Sequence, residues 1–320
     1  VKQSKSFLVL FFKKEQPFHR RTEQGLRMIR IAGVAAGMWF FVAQACAQPV
    51  PVAIGADPTP DAHFPARSAV IHIPSGGVNI NGLVYVAAGA GTHPTLVLCH
   101  GLPGNEKNLD LAQAVRRAGW NAVTFNYRGS WGSPGSFTFA HNLEDAAAVL
   151  AFLRAPGNAR ALGVDTGRIV LAGHSMGGWV TAETAAKDAA LAGAILISAW
   201  DPGAAGIEGT HDRGKLVAGL AENGETLAGT SPEAMADELI AHGAAWSFPP
   251  LAAKLTGRKL LVLTSDDGNG ANDLGLVQAI QAQGGKLVSA AHGATDHVWS
   301  DHRIALAALV VNWLARLRHD

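Results

Sequence analysis

Residues 168–186 read RIVLAGHSMGGWVTAETAA. Ile169, Val170 and Leu171 form an aliphatic run that suits a strand covered on both faces. From Thr181 onward the residues are small and compatible with a helix. Between the two, Gly173-His174-Ser175-Met176-Gly177 matches the pattern G-x-S-x-G in the strand–turn–helix setting it requires. A serine on so tight a turn needs neighbours without side chains, because a Cβ there would strike adjacent backbone. The turn lifts the hydroxyl off the sheet and sets it at the positive end of the next helix, where developing negative charge is stabilised. Ser175 is therefore the candidate nucleophile. The bland alternative is a glycine-rich turn with a serine cap.

Outward from this turn, strand and helix patterns alternate. Strands are expected at 68–73 and 78–86, around the turn Ser75-Gly76-Gly77, then at 95–99, 122–126, 168–172, 194–198, 259–264 and 286–289. Helices are expected at 106–118, 142–154, 177–187, 271–283 and 302–317. Alternation with short connections implies an α/β fold: a mostly parallel sheet with helices on both faces, the first two strands forming an antiparallel edge. The stretch 201–258 breaks the rhythm. A structureless loop of that length is improbable inside a domain. Ser231 followed by Pro232 is a good helix start for 235–242, so the stretch is expected to be an inserted helical cap.

A serine hydroxyl is a weak nucleophile without a base. In this type of turn the acid and the histidine follow the serine along the chain. The strand 259–264 runs into Ser265-Asp266-Asp267-Gly268, which offers two carboxylates where one is wanted. Asp267 is preferred as the acid, with Asp266 the alternative. The base belongs on the loop after the last strand, and Ala294-Thr295-Asp296-His297 fills that place. His297 is the choice, with His302 and His292 as fallbacks. His292, Asp296, His297 and His302 show no recognised metal-ligand spacing, so no metal is expected. Acyl transfer also needs two N–H groups aimed at the tetrahedral oxygen. Met176, directly after the serine, supplies one. The loop His100-Gly101-Leu102-Pro103-Gly104 supplies the other, assigned to Leu102 because Pro103 has no N–H. His100 precedes the nucleophile and is expected to hold its own loop.

Together these residues resemble the α/β-hydrolase superfamily over about residues 68–318. The resemblance rests on His100-Gly101, the segment NYRGSWGSPG at 126–135, Gly173–Gly177, the Asp266-Asp267 turn and His297. The segment after Asn126 is similar to one in prolyl-oligopeptidase-like and dienelactone-hydrolase-like members. The resemblance implies an eight-stranded sheet and Ser–Asp–His chemistry. The family's usual acid spacing counts to Gly268, one residue further on, which leaves Asp266 and Asp267 both open. The glycines at 129–135 lack the G-x-G-x-x-G spacing after a first strand, so no nicotinamide or flavin cofactor is expected.

The N-terminus reads as an address. Met28-Ile29-Arg30 is followed by the apolar run 31–42 and by Ala45-Cys46-Ala47, the layout of a secretory signal peptide cleaved after Ala47. Residues 1–27 are expected to be a dispensable leader or an over-extended reading frame, 48–67 an extended lead-in, and 68–320 the folded domain. A retained anchor is the alternative, although twelve apolar residues are few for a spanning helix. Residues 1–30 carry a net +6, whereas from Gln48 onward 18 basic and 23 acidic residues leave a net −5. That balance argues against a nucleic-acid footprint. Cys99, in an apolar run, reads as a buried filler.

The resulting expectation is an exported, periplasmic or extracellular serine hydrolase, with no membrane association after signal cleavage. It would cleave a small-molecule carboxylic ester through an acyl-enzyme. Short-peptide or amide cleavage is the alternative, and a non-catalytic binding protein on the same scaffold is a third reading. Trp131, Trp200, Trp246 and Phe248 are candidates either for an acyl pocket or for packing in the core and cap.

Overall fold

The computed structural model describes residues 43–44 and 49–317. The expected signal segment therefore lies outside the described residues, apart from Ala43 and Gln44. The elements in chain order begin with β1 (Ala43–Gln44), α1 (Val52–Gly55), β2 (Arg67–Ser75), β3 (Val78–Val86), β4 (His93–Cys99) and α2 (Leu109–Arg117). Next come β5 (Asn121–Phe125), α3 (Phe139–Arg154), α4 (Pro156–Leu162), β6 (Val164–His174), α5 (Met176–Lys187) and β7 (Gly193–Ile197). The remainder is α6 (Pro202–Gly209), α7 (Arg213–Ala221), α8 (Pro232–Trp246), α9 (Ala252–Leu255), β8 (Leu260–Thr264), α10 (Gly270–Ala282), β9 (Val288–His292) and α11 (Arg303–Arg316).

One sheet runs in the order β1-β9-β8-β7-β6-β4-β5-β3-β2. It consists of the eight expected strands and the two-residue β1, which pairs in parallel with the outer side of β9. From β5 through β4, β6, β7 and β8 to β9 every pairing is parallel. β3 is antiparallel to both β5 and β2, the expected edge. The last expected strand, 286–289, instead spans Val288–His292, because the apolar alternation there is too short to set its register.

The strands sort their side chains by the two-residue period of extended chain. Val97, Cys99, Ile169, Leu171, Leu196 and Val262 face a layer built with α3, α5 and α10. Leu96, Leu98, Val170, Ala172, Ile197 and Leu263 face a second layer built with α2 and α11. Both faces are apolar, as a parallel sheet with helices on each side requires. After β4 the chain adds β5 on one side and then returns to place β6 on the other. The loops after β4 and β6 therefore diverge from a strand-order switch, where α/β sheets open a crevice at their carboxyl ends.

The stretch 201–258 is helical, as expected, and contains α6 to α9 with a 3₁₀ turn at Pro249–Leu251. Asp201 ties its two ends together: Oδ1 accepts the Ala204 N–H at 2.9 Å, and Oδ2 accepts the Phe248 N–H at 3.1 Å. Glu238 of α8 fastens the insertion to the body. Its carboxylate accepts the N–H groups of Phe139 and Ala140 at 2.9 Å each, satisfying two unpaired donors at the start of α3. Trp246 and Phe248 are buried, at 8% and 1% exposure. Trp246 packs on Trp179 and Phe139 and stacks on His242. These two aromatics are core residues and not lining of an open pocket, because α8 lays its apolar stripe on the body. Among the described residues, no helix is long and apolar enough to cross a membrane.

Candidate active site

Ser175 sits at the junction of β6 and α5 with φ 57° and ψ −123°. A non-glycine residue in this region carries backbone strain that surrounding structure must over-determine. That structure is visible. The Ser175 N–H donates to the Ile197 carbonyl, and its own carbonyl accepts from Gly178 and Trp200. The flanking glycines are required by close approach: a Cβ on Gly173 would lie 1.8 Å from the Gly177 oxygen, and one on Gly177 would lie 2.1 Å from the Cys99 oxygen. The Ser175 turn thus nests directly on the end of β4.

The two carboxylates of the β8 turn have different fates. Asp267 is the inward one, with 3% side-chain exposure, and its Oδ2 accepts from His297 Nδ1 at 2.6 Å. Asn269 supports it, its N–H donating to Oδ1 at 2.9 Å and its side-chain amide to Oδ2 at 3.2 Å. Burial works against ionisation of Asp267, but the bonds from His297 and Asn269 outweigh it and hold the carboxyl below its ordinary range. Asp266 is 65% exposed and meets His292 Nε2 at 3.1 Å at the surface. His302 pairs with its neighbour Asp301 at the start of α11. Two acid–histidine pairs therefore form among the alternatives raised by the sequence: Asp266 with His292 at the surface, and Asp267 with His297, whose carboxylate is buried.

Three contacts position His297. His174 Nε2 donates to the His297 carbonyl at 2.9 Å, and the two rings lie 4.7 Å apart. Arg303 donates to the next carbonyl, Val298, at 2.8 Å while its guanidinium is held by Asp110 and Asn108. Trp299 is buried two residues on and donates its indole N–H to Ser198 Oγ at 3.0 Å. Because His174 precedes Ser175, the His297 loop is tied directly to the Ser175 turn. Among the described residues Ser175 Oγ and His297 form no hydrogen bond; such contacts commonly tighten only when substrate is bound. Burial pushes the His174 imidazole down to about 3, helped by the neighbouring His297, so it stays neutral and serves as a donor.

The loop after β4 packs against Ser175 from the other side. A Cβ on Gly101 would come 2.9 Å from the Ser175 Cβ and 3.5 Å from its Oγ. His100 Nδ1 donates to the Gly101 carbonyl at 2.8 Å, holding its own loop, and burial lowers the ring to about 4. Leu102, half-buried, follows Gly101 and is joined to Pro103 by a cis peptide bond. The N–H of Met176 is the first in α5 and belongs to the four without an intrahelical partner. Met176 thus follows the serine directly at the start of α5, and Leu102 follows the glycine that abuts it from the β4 loop.

Several supporting contacts carried no sequence signal, although Arg128 itself lies in the NYRGSWGSPG segment. Arg128 is buried against Asp145, its backbone N–H and Nε donating to the two carboxylate oxygens at 2.8 and 2.6 Å. Ser75 Oγ also donates to Asp145. This network locks the segment after β5 onto α3. Its partners lie 17 and 70 residues apart, beyond any local pattern. Asp273, on α10, is buried with Oδ2 accepting the Ala199 N–H at 3.1 Å. Burial, and then the nearby Asp267 charge, hold it well above the usual carboxylate range.

The chain matches the model of a family described as "Alpha/beta hydrolase family" over residues 96–309. No curated protein sequence matches it. Among solved structures, an esterase of Pyrobaculum calidifontis aligns with a TM-score of 0.60 and 19% identity over 80% of this chain and 88% of that one. EstE1, a thermostable carboxylesterase cloned from a metagenomic library, aligns with a TM-score of 0.58 and 22% identity over 78% and 90%. An acylaminoacyl peptidase of Pyrococcus horikoshii aligns with a TM-score of 0.58 and 17% identity over 78% of this chain but 41% of that one. At these identities the likeness is one of fold. The family match spans most of the chain, which belongs to the alpha/beta hydrolase family.

Proposed function

We propose that this member of the alpha/beta hydrolase family is an exported serine hydrolase that cleaves small carboxylic esters through an acyl-enzyme. The observation that carries the reading is the Asp267–His297 pair at 2.6 Å, on a loop tied through His174 to the strained turn of Ser175. In this reading Ser175 Oγ attacks the ester carbonyl as His297 Nε2 takes its proton. The C–O bond to the leaving alcohol then breaks as the imidazolium returns that proton to the alkoxide. Water repeats the sequence on the acyl-enzyme and releases the acid. Asp267 keeps Nδ1 protonated, so that Nε2 is the basic nitrogen, and stabilises the imidazolium. The N–H groups of Leu102 and Met176 receive the oxyanion.

Amide or short-peptide cleavage uses the same groups, and fold similarity to both an esterase and a peptidase supports either substrate class. The insertion 201–258 acts as a cap that sets substrate preference, while the triad sets the reaction. Export rests on the apolar run 31–42 and Ala45-Cys46-Ala47. The decisive experiment is labelling with a fluorophosphonate, followed by peptide mass mapping and by turnover of matched p-nitrophenyl esters and p-nitroanilides. Label on Ser175, its loss in Ser175→Ala, and faster ester turnover are expected. An unlabelled wild-type protein would mean a binding module. Intact mass of protein recovered from its native envelope tests the mature start at Gln48.

A further inference from the structure

Trp131 lies in the NYRGSWGSPG segment, and each of its polar handles is engaged. Its backbone is left-handed at φ 49°, unusual for a bulky residue, so its conformation is imposed by its contacts. The backbone N–H donates to the Thr226 carbonyl of the inserted segment at 3.1 Å. The backbone carbonyl accepts from Asn126 Nδ2 at 3.1 Å. The Lys107 ammonium stands 4.3 Å from the ring centroid and donates to Asn126 Oδ1 at 2.9 Å. The indole itself reaches across to the loop after β4, where Nε1 donates to the Pro103 carbonyl at 2.6 Å.

That last contact has a consequence for chemistry. Pro103 follows Leu102, whose N–H is one of the two proposed oxyanion donors, and Gly101 on the other side abuts Ser175. One end of the donor loop is held by the serine turn and by His100, the other by the indole. We infer that Trp131 is a positioning residue whose indole N–H fixes the direction of the Leu102 donor. The inference rests on the serine-hydrolase reading above. An oxyanion donor must be aimed at where charge develops, and small misplacements are costly. Because the oxyanion forms in the tetrahedral intermediate and its flanking transition states and not in the bound ester, loss of its stabilisation should appear in kcat and not in KM.

The test is Trp131→Phe, which keeps a ring for Lys107 to cover but deletes the donor, beside Trp131→His, which restores a ring N–H. Turnover is expressed per active site, titrated with a fluorophosphonate. For Trp131→Phe, kcat should fall roughly 10- to 100-fold with KM within about threefold, less than the roughly 10²- to 10³-fold lost when a donor is removed outright. The inhibition constant of a trifluoromethyl ketone, which forms a tetrahedral adduct, should rise by the same factor. Trp131→His should recover part of both losses. If Trp131→Phe merely lowers Tm and the titrated fraction, while surviving sites turn over and bind the ketone as wild type does, the inference is overturned. The same holds if Trp131→His is folded but no better than Trp131→Phe. An inactive, unlabelled wild-type protein instead overturns the hydrolase reading first, and this one with it.

Discussion

Replacing Asp267 by Asn perturbs the acid–base pair with almost no change in shape. The outcome follows from which neighbours can adapt. Oδ1 of Asp267 accepts the Asn269 backbone N–H, and Oδ2 accepts His297 Nδ1 and the Asn269 side chain. An amide must turn its NH₂ toward one of these two sides. Facing the Asn269 backbone it would oppose one donor with another, and a backbone N–H cannot reverse its role. Facing His297 it meets a ring that can change tautomer. The amide oxygen therefore settles on Asn269, and Nδ1 becomes an acceptor. The remaining proton moves to Nε2, the nitrogen that in the proposed mechanism takes the proton from Ser175. Wrong-tautomer variants of other serine triads lose about 10⁴ in kcat, which corresponds to roughly 5 kcal/mol of transition-state stabilisation. We expect a loss of that order here. Asp266→Asn, which touches only the surface contact with His292, should stay within about threefold of wild type. Steady-state hydrolysis of a p-nitrophenyl ester, per mole of protein shown folded by circular dichroism, measures both. The reasoning is refuted if Asp267→Asn retains activity within tenfold of wild type, or if Asp266→Asn is equally impaired.

Three further outcomes are expected. His100 and His174 are held neutral at about 4 and 3, so unfolded chains bind protons that the fold refuses. Stability from these two groups is full above the ordinary imidazole range near 6.5 and is lost as pH falls, on the order of 3 kcal/mol each by pH 4. Urea midpoints at pH 7 and pH 4 read this loss, and His174→Asn should be less acid-sensitive than wild type. Asp273 shows the opposite sign: burial and the nearby Asp267 charge raise its folded carboxyl above the ordinary range, so it holds its proton more tightly folded than unfolded, and stability falls as pH rises above the ordinary carboxylate range. Asp273→Asn should raise Tm at pH 7 by more than at pH 4, and a gain that does not grow with pH counts against a raised Asp273. Finally, Trp200 is half-buried, donates its backbone N–H to the Ser175 carbonyl and packs on Phe139. Trp200→Ala should shift relative kcat/KM between short and long acyl esters by roughly 10- to 200-fold. Phe248→Ala should instead cost about 3–5 kcal/mol of stability and leave the chain-length profile unchanged.

The strands and helices that frame the site were legible locally. Aliphatic runs such as Leu96 to Cys99 and Ile169 to Ala172 have one reading when both faces of a strand are to be covered, and the glycines around Ser175 announce a crowded turn. The order of serine, acid and histidine along the chain narrowed each partner to a single loop. Short elements were not legible. α4, α6 and α7 are brief and glycine- or alanine-rich, and their helicity comes from docking on neighbours, not from their own periodicity.

Adjacent residues were the other limit. Asp266 and Asp267 have the same chemistry and the same local context; they differ in direction. The turn after β8 aims one at His297 and the other at solvent, and that direction follows from the packing of α10 and the β9 loop. Trp200, Trp246 and Phe248 are alike as a class, yet only the pairing of α8 with the body separates buried from half-exposed. The supports of the site, which are Arg303 on Val298, His174 on His297 and Trp131 on Pro103, span 5, 123 and 28 residues. Sequence pattern determined the fold class, the serine turn and the loops that carry Asp267 and His297, because those depend on local sterics and periodicity. The tertiary structure decided which carboxylate faces inward, which aromatics remain accessible and what holds each loop in place, because contacts between distant segments exist only once the chain has closed around its sheet.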